Sequence, residues 1–130
     1  MSCSDYRESS TNKPLKSWQK YEKLASEYLK QHGFDILAAN WRSGRYEIDL
    51  IARKGKQVVF VEVKSVRDVS FGHPAERVDV KKTINLTRAA QAYVIEKSLS
   101  DCDLRFDVIT FIDGRLEHYP NAFEAADEAD

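Results

Sequence analysis

Residues 47–64 read Glu-Ile-Asp-Leu-Ile-Ala-Arg-Lys-Gly-Lys-Gln-Val-Val-Phe-Val-Glu-Val-Lys. Two apolar runs flank a short turn at Gly55, the pattern of a β-hairpin. Three acids (Glu47, Asp49, Glu62) and Lys64 interrupt it. Carboxylates on a strand face that meets other structure need a partner, because burying an uncompensated charge is costly. A good hairpin spoiled by acids is the kind of local conflict found at functional sites.

A Gly55-Lys56 two-residue turn of type II′ fixes the register. Leu50 then pairs with Val61, Asp49 lies opposite Glu62 and Glu47 opposite Lys64. Strict alternation puts these four on one face with Ile51 and Phe60, and leaves Ile48, Leu50, Val59, Val61 and Val63 as a core surface. Opposed β-carbons lie about 4.5–5.5 Å apart, and opposed like charges destabilise a sheet. A cation between Asp49 and Glu62 removes that cost, and Mg²⁺ suits two carboxylates plus waters. Lys64 could hold a phosphate oxygen or bias a water toward hydroxide, which completes the parts for metal-assisted phosphodiester hydrolysis. Glu47 reads as an ion-pair partner of Lys64 or as a supporting acid.

Outward from the hairpin, a helix is expected from Ser17 to a stop at Gly33, with Trp18, Tyr21, Ala25, Tyr28 and Leu29 on its buried stripe. Residues 34–41 read as a first strand before the Ser43-Gly44 turn, and Glu47–Arg53 and Gln57–Val66 as the next two. Arg67–Arg77, with Gly72 and Pro74, reads as a loop. A second helix over Val78–Lys97 offers Val80, Ile84, Ala90, Tyr93 and Val94 to the core. Leu104–Ile112 is a strand, Asp113-Gly114 a hairpin turn and Arg115–Tyr119 a returning strand. The order predicts an α/β domain with a mixed sheet flanked by helices, the fourth strand lying parallel to one of the first group.

The 130 residues fit one domain over 17–119, between a flexible N-terminal tail (1–16) and an acidic tail (120–130). The net charge of −1 is misleading, since residues 120–130 hold four acids and no base, and Ser17–Tyr119 carries 17 bases against 15 acids. A near-neutral body still binds phosphates if its bases cluster. Two cysteines, Cys3 and Cys102, argue against a disulfide framework and fit a reducing cytoplasm. No signal peptide or membrane-length apolar run is seen. No His/Cys spacing suggests zinc, and Arg-Lys-Gly-Lys is a turn rather than a nucleotide cradle.

An aspartate followed after twelve residues by Glu-Val-Lys resembles the D-x(n)-E-x-K signature of restriction-endonuclease-like nucleases. The wider chain resembles the YraN-like family of predicted nucleases, related in pattern to Holliday junction resolvases. The match runs through Glu22, Ala25, Asn40, Arg42, Glu47–Ala52, Phe60–Lys64, Phe71-Gly72, Pro74, Lys81-Lys82 and Arg105–Val108. It covers about residues 18–112. It implies a restriction-endonuclease-like core (α-β-β-β-α-β), here with an extra C-terminal strand. It also implies an active site of Asp49, Glu62, Lys64 and Glu22, with Asp49 and Glu62 holding Mg²⁺ or Mn²⁺. The family usually has glycine where this chain has Tyr21 and Tyr46, and tyrosine there would narrow the site or change substrate approach.

The expected activity is a metal-dependent nuclease on DNA, on branched or damaged structures in particular. Arg42, Lys81, Lys82 and Arg88 are the candidate backbone-binding residues, with Arg45, Arg67 and Arg77 beside them, although charge on a helix is usually only a solvated face. Resolvases of branched DNA work as dimers, so the resemblance implies a homodimer, while the sequence shows no obvious apolar seam. The competing expectation is a non-catalytic nucleic-acid-binding or scaffold domain on the same fold, suggested by the near-neutral charge and the two tyrosines.

Overall fold

A computed structural model describes residues 20–66, 80–99 and 101–124, without the side chains of Val66, Val80 and Lys81. The expected N-terminal tail, the Ser17 cap, the Arg67–Arg77 loop and residues 125–130 lie outside the described residues. The elements are α1 (Lys20–Gln31), β1 (Asp35–Ser43), β2 (Tyr46–Lys54), β3 (Gln57–Val66), α2 (Val80–Lys97), β4 (Asp103–Ile112) and β5 (Arg115–Phe123). β5 runs past Tyr119, where the sequence reading ended it, through Pro120 and Asn121 (φ 51). Proline is tolerated there because β5 is an edge strand.

The five strands lie in the order β1-β2-β3-β4-β5. Neighbours are antiparallel except β3 and β4, which run parallel across the α2 crossover. The α/β order and mixed sheet agree with the sequence reading. α2 covers one sheet face with Leu86, Ala89, Ala90 and Tyr93 against Ile51, Phe60 and Phe106. α1 covers the other with Ala25 and Leu29 against Leu50, Val59, Val61 and Ile109. Trp41 and Phe60 meet Tyr93 edge-on at 5.2 and 6.1 Å between ring centroids, which centres the α2 layer on that tyrosine.

Both helices stop on the same motif, with opposite consequences. At the end of α1, Phe34 N donates to Leu29 O at 3.0 Å and Gly33 N to Lys30 O at 3.1 Å. This Schellman closure needs a left-handed residue, and Gly33 supplies it at φ 89. Lys54 Nζ donates to His32 O at 3.0 Å and covers a further orphan carbonyl. At the end of α2, Leu99 N donates to Val94 O at 3.0 Å, but the left-handed place is held by Ser98 at φ 57.

The hairpin register is the expected one. Leu50 pairs with Val61, Ile51 with Phe60 and Lys54 with Gln57, closed by Gly55 at φ 62. The face assignment needs one correction. Ala38–Ile51 lies on the α2 side and the next pair, Ala39–Leu50, on the α1 side, as alternation requires. Trp41–Ile48 then returns to the α2 side, although alternation would put it with Ala39 and Leu50. Both strands change face between these pairs, at Asn40 (φ 52) and Asp49. Ile48 therefore joins Ile51 and Phe60, not Leu50 and Val61.

On β4, Asp107 is fully buried and fully satisfied. Arg105 donates to its two oxygens at 2.8 and 3.0 Å, His118 Nε2 lies at 2.7 Å, and Asn121 N donates at 2.9 Å. Burial alone would raise this carboxyl, but His118, Arg105 and the Asn121 N–H outweigh it and hold it below its ordinary value. The cluster clamps β5 where its register with β4 shifts. Cys102 is packed against the α2-side core. No helix among the described residues is long and apolar enough to cross a membrane.

Thermal unfolding tests the helix ends with paired substitutions of opposite sign. Gly33→Ala should destabilise by about 1–2 kcal/mol, the cost of a left-handed L-residue. Ser98→Gly should stabilise by about 0.5–1 kcal/mol after glycine's extra chain entropy is subtracted.

Candidate active site

The candidate site forms where the β2–β3 ladder stops. Leu50–Val61 is the last pair of that ladder, while Glu62 and Lys64 stay paired with Val108 and Thr110 in β4. Asp49, next in line, turns its carboxylate to the free backbone, and Val63 N donates to Asp49 Oδ2 at 2.8 Å. The side chain thus takes the place of the missing ladder bond. This holds the carboxyl against that of Glu62, with which it shares a hydrogen bond.

Two carboxyls hydrogen-bonded to each other must share a proton or a cation. Burial first, then the hydrogen bond and negative charge of Glu62, push Asp49 up to about 8 from 3.8, against the Val63 N–H that lowers it. Glu22, in the first turn of α1, adds a smaller repulsion. Glu22 is itself raised by partial burial, against its own backbone N–H, with the charge of Glu47 adding to the rise. Four acids, Glu62, Asp49, Glu22 and Glu47, are thus linked in a chain of repulsions that favours a shared proton or a cation at the Asp49–Glu62 end.

Glu62 is balanced from α2. Its side chain is 8% exposed, and Lys82 Nζ lies 2.8 Å from Oε2. The surrounding cleft, about 370 Å³ in volume, is lined by Arg45, Tyr46, Glu47, Asn85 and Leu86 besides the two carboxyls and Lys82. The Tyr46 ring packs on the core. Arg88 donates to its hydroxyl at 3.3 Å and Arg45 lies 5.5 Å from the ring centre. Both guanidiniums donate to the phenol oxygen and lower its pKa.

Of the candidate catalytic residues, Asp49 and Glu62 are brought into contact. Glu22 faces them within electrostatic reach but does not line the cleft. Lys64 lies two residues beyond Glu62 and is also outside the lining. Among the candidate backbone-binding residues, Lys82 reaches Glu62, Arg88 holds Tyr46, and the Lys81 side chain lies outside the described residues. Arg42 lies 2.6 Å from Glu47, its partner across β1–β2, so Glu47 is paired there and not with Lys64 as its register suggested. The role of Lys82 as the counter-charge of Glu62 was missed. Its only sequence signal is a basic first turn of α2 with no acid in it.

The donor set fits a small divalent cation. Mg²⁺ takes hard oxygens, needs only one or two protein carboxylates and fills the rest of its shell with water and substrate oxygens. Among the described residues no group of three or more His, Cys, Asp or Glu comes together, so a two-carboxylate site is the one on offer.

A family model described as uncharacterised protein family UPF0102 matches residues 21–111. A UPF0102 protein of Chloroherpeton thalassium is 45% identical over 94 residues, covering 72% of this chain and 73% of the relative. One from Chlorobium phaeobacteroides is 36% identical over 114 residues, covering 80% and 90%. A third, from Clostridioides difficile, is 40% identical over 104 residues, covering 78% and 91%. This is the YraN-like family that the ordered motifs resemble.

The raised Asp49 carboxyl has a definite linkage sign. Between 3.8 and about 8 the folded state binds more protons than the unfolded chain, so stability without metal should fall as pH rises through that window. Asp49→Asn keeps an acceptor for Val63 N–H and a donor for Glu62 without ionising. Denaturant unfolding at several pH values should show that slope in the wild type and its loss in Asp49→Asn.

Proposed function

The chain belongs to the UPF0102 family, and we propose from the geometry of its cleft that it is a metal-dependent nuclease hydrolysing phosphodiester bonds in DNA. The supporting observation is the Asp49–Glu62 pair, hydrogen-bonded carboxyl to carboxyl at the floor of an open cleft with basic side chains on its wall. A structural carboxylate has no need of a like partner, and a surface ion pair has no need of burial. A pair that must exchange its proton for a cation suits a metal-assisted enzyme.

In this reading Asp49 and Glu62 hold Mg²⁺ or Mn²⁺. When bound, the metal supplies charge for a scissile phosphate oxygen and lowers the pKa of a water. The chain's own residues do the rest. The Val63 N–H fixes which way Asp49 points. Glu22 adds negative charge on the α1 side, which strengthens cation binding. Lys64, on the same strand as Glu62, moves toward a water or phosphate oxygen once substrate fills the cleft. Arg45, Arg88 and the basic start of α2 attract the backbone, with a marked salt dependence. Tyr46 walls one side, which favours a strand that can bend into the cleft, as at branched or damaged sites.

We place this activity in the cytoplasm, where its DNA substrate lies. A homodimer is part of the proposal for branched substrates. One observation favours the competing reading, a non-catalytic DNA-binding or scaffold domain: Lys82 balances the charge of Glu62 without metal.

Cleavage assays decide between them. With Mg²⁺ or Mn²⁺, wild type should cut at least one of single-stranded, duplex and four-way-junction DNA. Asp49→Ala should cut none, and Lys64→Ala should lose roughly 10²–10⁴-fold, the usual range for a proton-transfer group. DNA binding without cleavage in either metal would support the scaffold reading instead.

A further inference from the structure

Lys82 stands in the first turn of α2 together with Lys81, and no acid shares that turn. Positive charge there is opposed by the helix dipole, whose N-terminal end is already positive. Lys82 is held nonetheless, because Glu62 lies across the cleft with its Oε2 at 2.8 Å from Nζ. The two partners are unequal. The carboxylate is 8% exposed and fixed on a central strand, while the lysine side chain is 46% exposed on a flexible four-carbon stem. The fixed member is the one assigned above to the cation. The movable member borders the cleft a phosphodiester would enter.

We infer that Lys82 is a positioning residue that couples the two ligands of this site, holding Glu62 until a phosphodiester draws its ammonium away and so opens the carboxylate pair to the metal. The inference rests on the reading of the pair as a metal site. A divalent ion held by Glu62 and the ammonium would compete for the same carboxylate, since each repels the other at contact distance. A phosphate anion removes the competitor by offering Lys82 an equivalent partner at the cleft rim. The exchange keeps every charge compensated: ammonium moves from carboxylate to phosphate, and the cation takes the carboxylate. Coupling of this kind is reciprocal, so DNA tightens metal binding by the factor with which metal tightens DNA binding. An enzyme built this way stays metal-poor until substrate arrives.

Calorimetric titration of the full chain with Mg²⁺, at a pH where both carboxyls are ionised, tests this without reference to cleavage. Lys82→Met should bind Mg²⁺ roughly tenfold or more tighter than wild type, since one charge-assisted bond is typically of that size. Lys82→Arg, which keeps the counter-charge, should stay as weak as wild type. Adding phosphorothioate four-way-junction or single-stranded DNA should tighten Mg²⁺ binding in wild type and leave Lys82→Met unchanged. Lys82→Gln provides a second neutral variant, and circular dichroism checks its fold. Equal or weaker Mg²⁺ binding by folded neutral variants, with wild-type binding intact, overturns the coupling alone. So does a DNA effect that survives in Lys82→Met. Failure of wild type and both neutral variants to bind Mg²⁺, with or without DNA, overturns the metal-site reading as well.

Discussion

The hydrogen bond from Val63 N to Asp49 Oδ2, at 2.8 Å, is the constraint on which the candidate site depends. It sits where β2 leaves β3 and replaces a ladder bond with a side-chain bond, so the strand can depart without orphaning a buried donor. The same bond fixes the carboxyl against Glu62. An aspartate is the right length for this: it reaches the neighbouring backbone and still leaves one oxygen for a second partner. The raised titration of Asp49 and the need for a counter-charge from α2 both follow from that placement.

The sheet makes this placement available through a break in its own periodicity. Asn40 at φ 52 and Asp49 sit where β1 and β2 change face together, and Trp41–Ile48 returns to the α2 layer. Asparagine is among the few residues that adopt this backbone readily. The change of face frees Asp49 from the strict in-or-out choice of an alternating strand. Ile48 fills the α2-side core, while the aspartate beside it turns into the cleft. The opposite end of the sheet solves its own buried charge differently, with Arg105, His118 and Asn121 saturating Asp107. Asp107 is acidic, buried and spent on structure. Asp49 is buried and still exchangeable, which is why the two sites differ in chemical capacity.

Much of this was legible in the residues. The Gly55-Lys56 turn fixed the hairpin register because a two-residue loop leaves no slack, and the Asp113-Gly114 turn and the Gly33 stop were equally local. The parallel β3–β4 pairing followed from one helix lying between the strands. What could not be read was the face change at Asn40 and Asp49, since period-two reasoning assumes an unbroken pleat. The partners of Glu47 and Glu62 were hidden for a related reason. Register alone gave Glu47 to Lys64, but the strand departure passes it to Arg42, and Glu62 meets a lysine twenty residues away that only the packing of α2 brings near. The extent of β5 was obscured by Pro120, which reads as a stop unless the strand is known to lie at an edge.

Anomalous diffraction from crystals of the full chain bound to phosphorothioate single-stranded DNA and soaked in Mn²⁺ tests the central claim most directly. A single strong peak bridging Asp49 and Glu62, with Lys82 moved off Glu62, is the predicted result. Well-ordered crystals with no peak there, and with Lys82 still seated on Glu62 at saturating Mn²⁺, would contradict the assignment of this cleft as a metal-dependent active site.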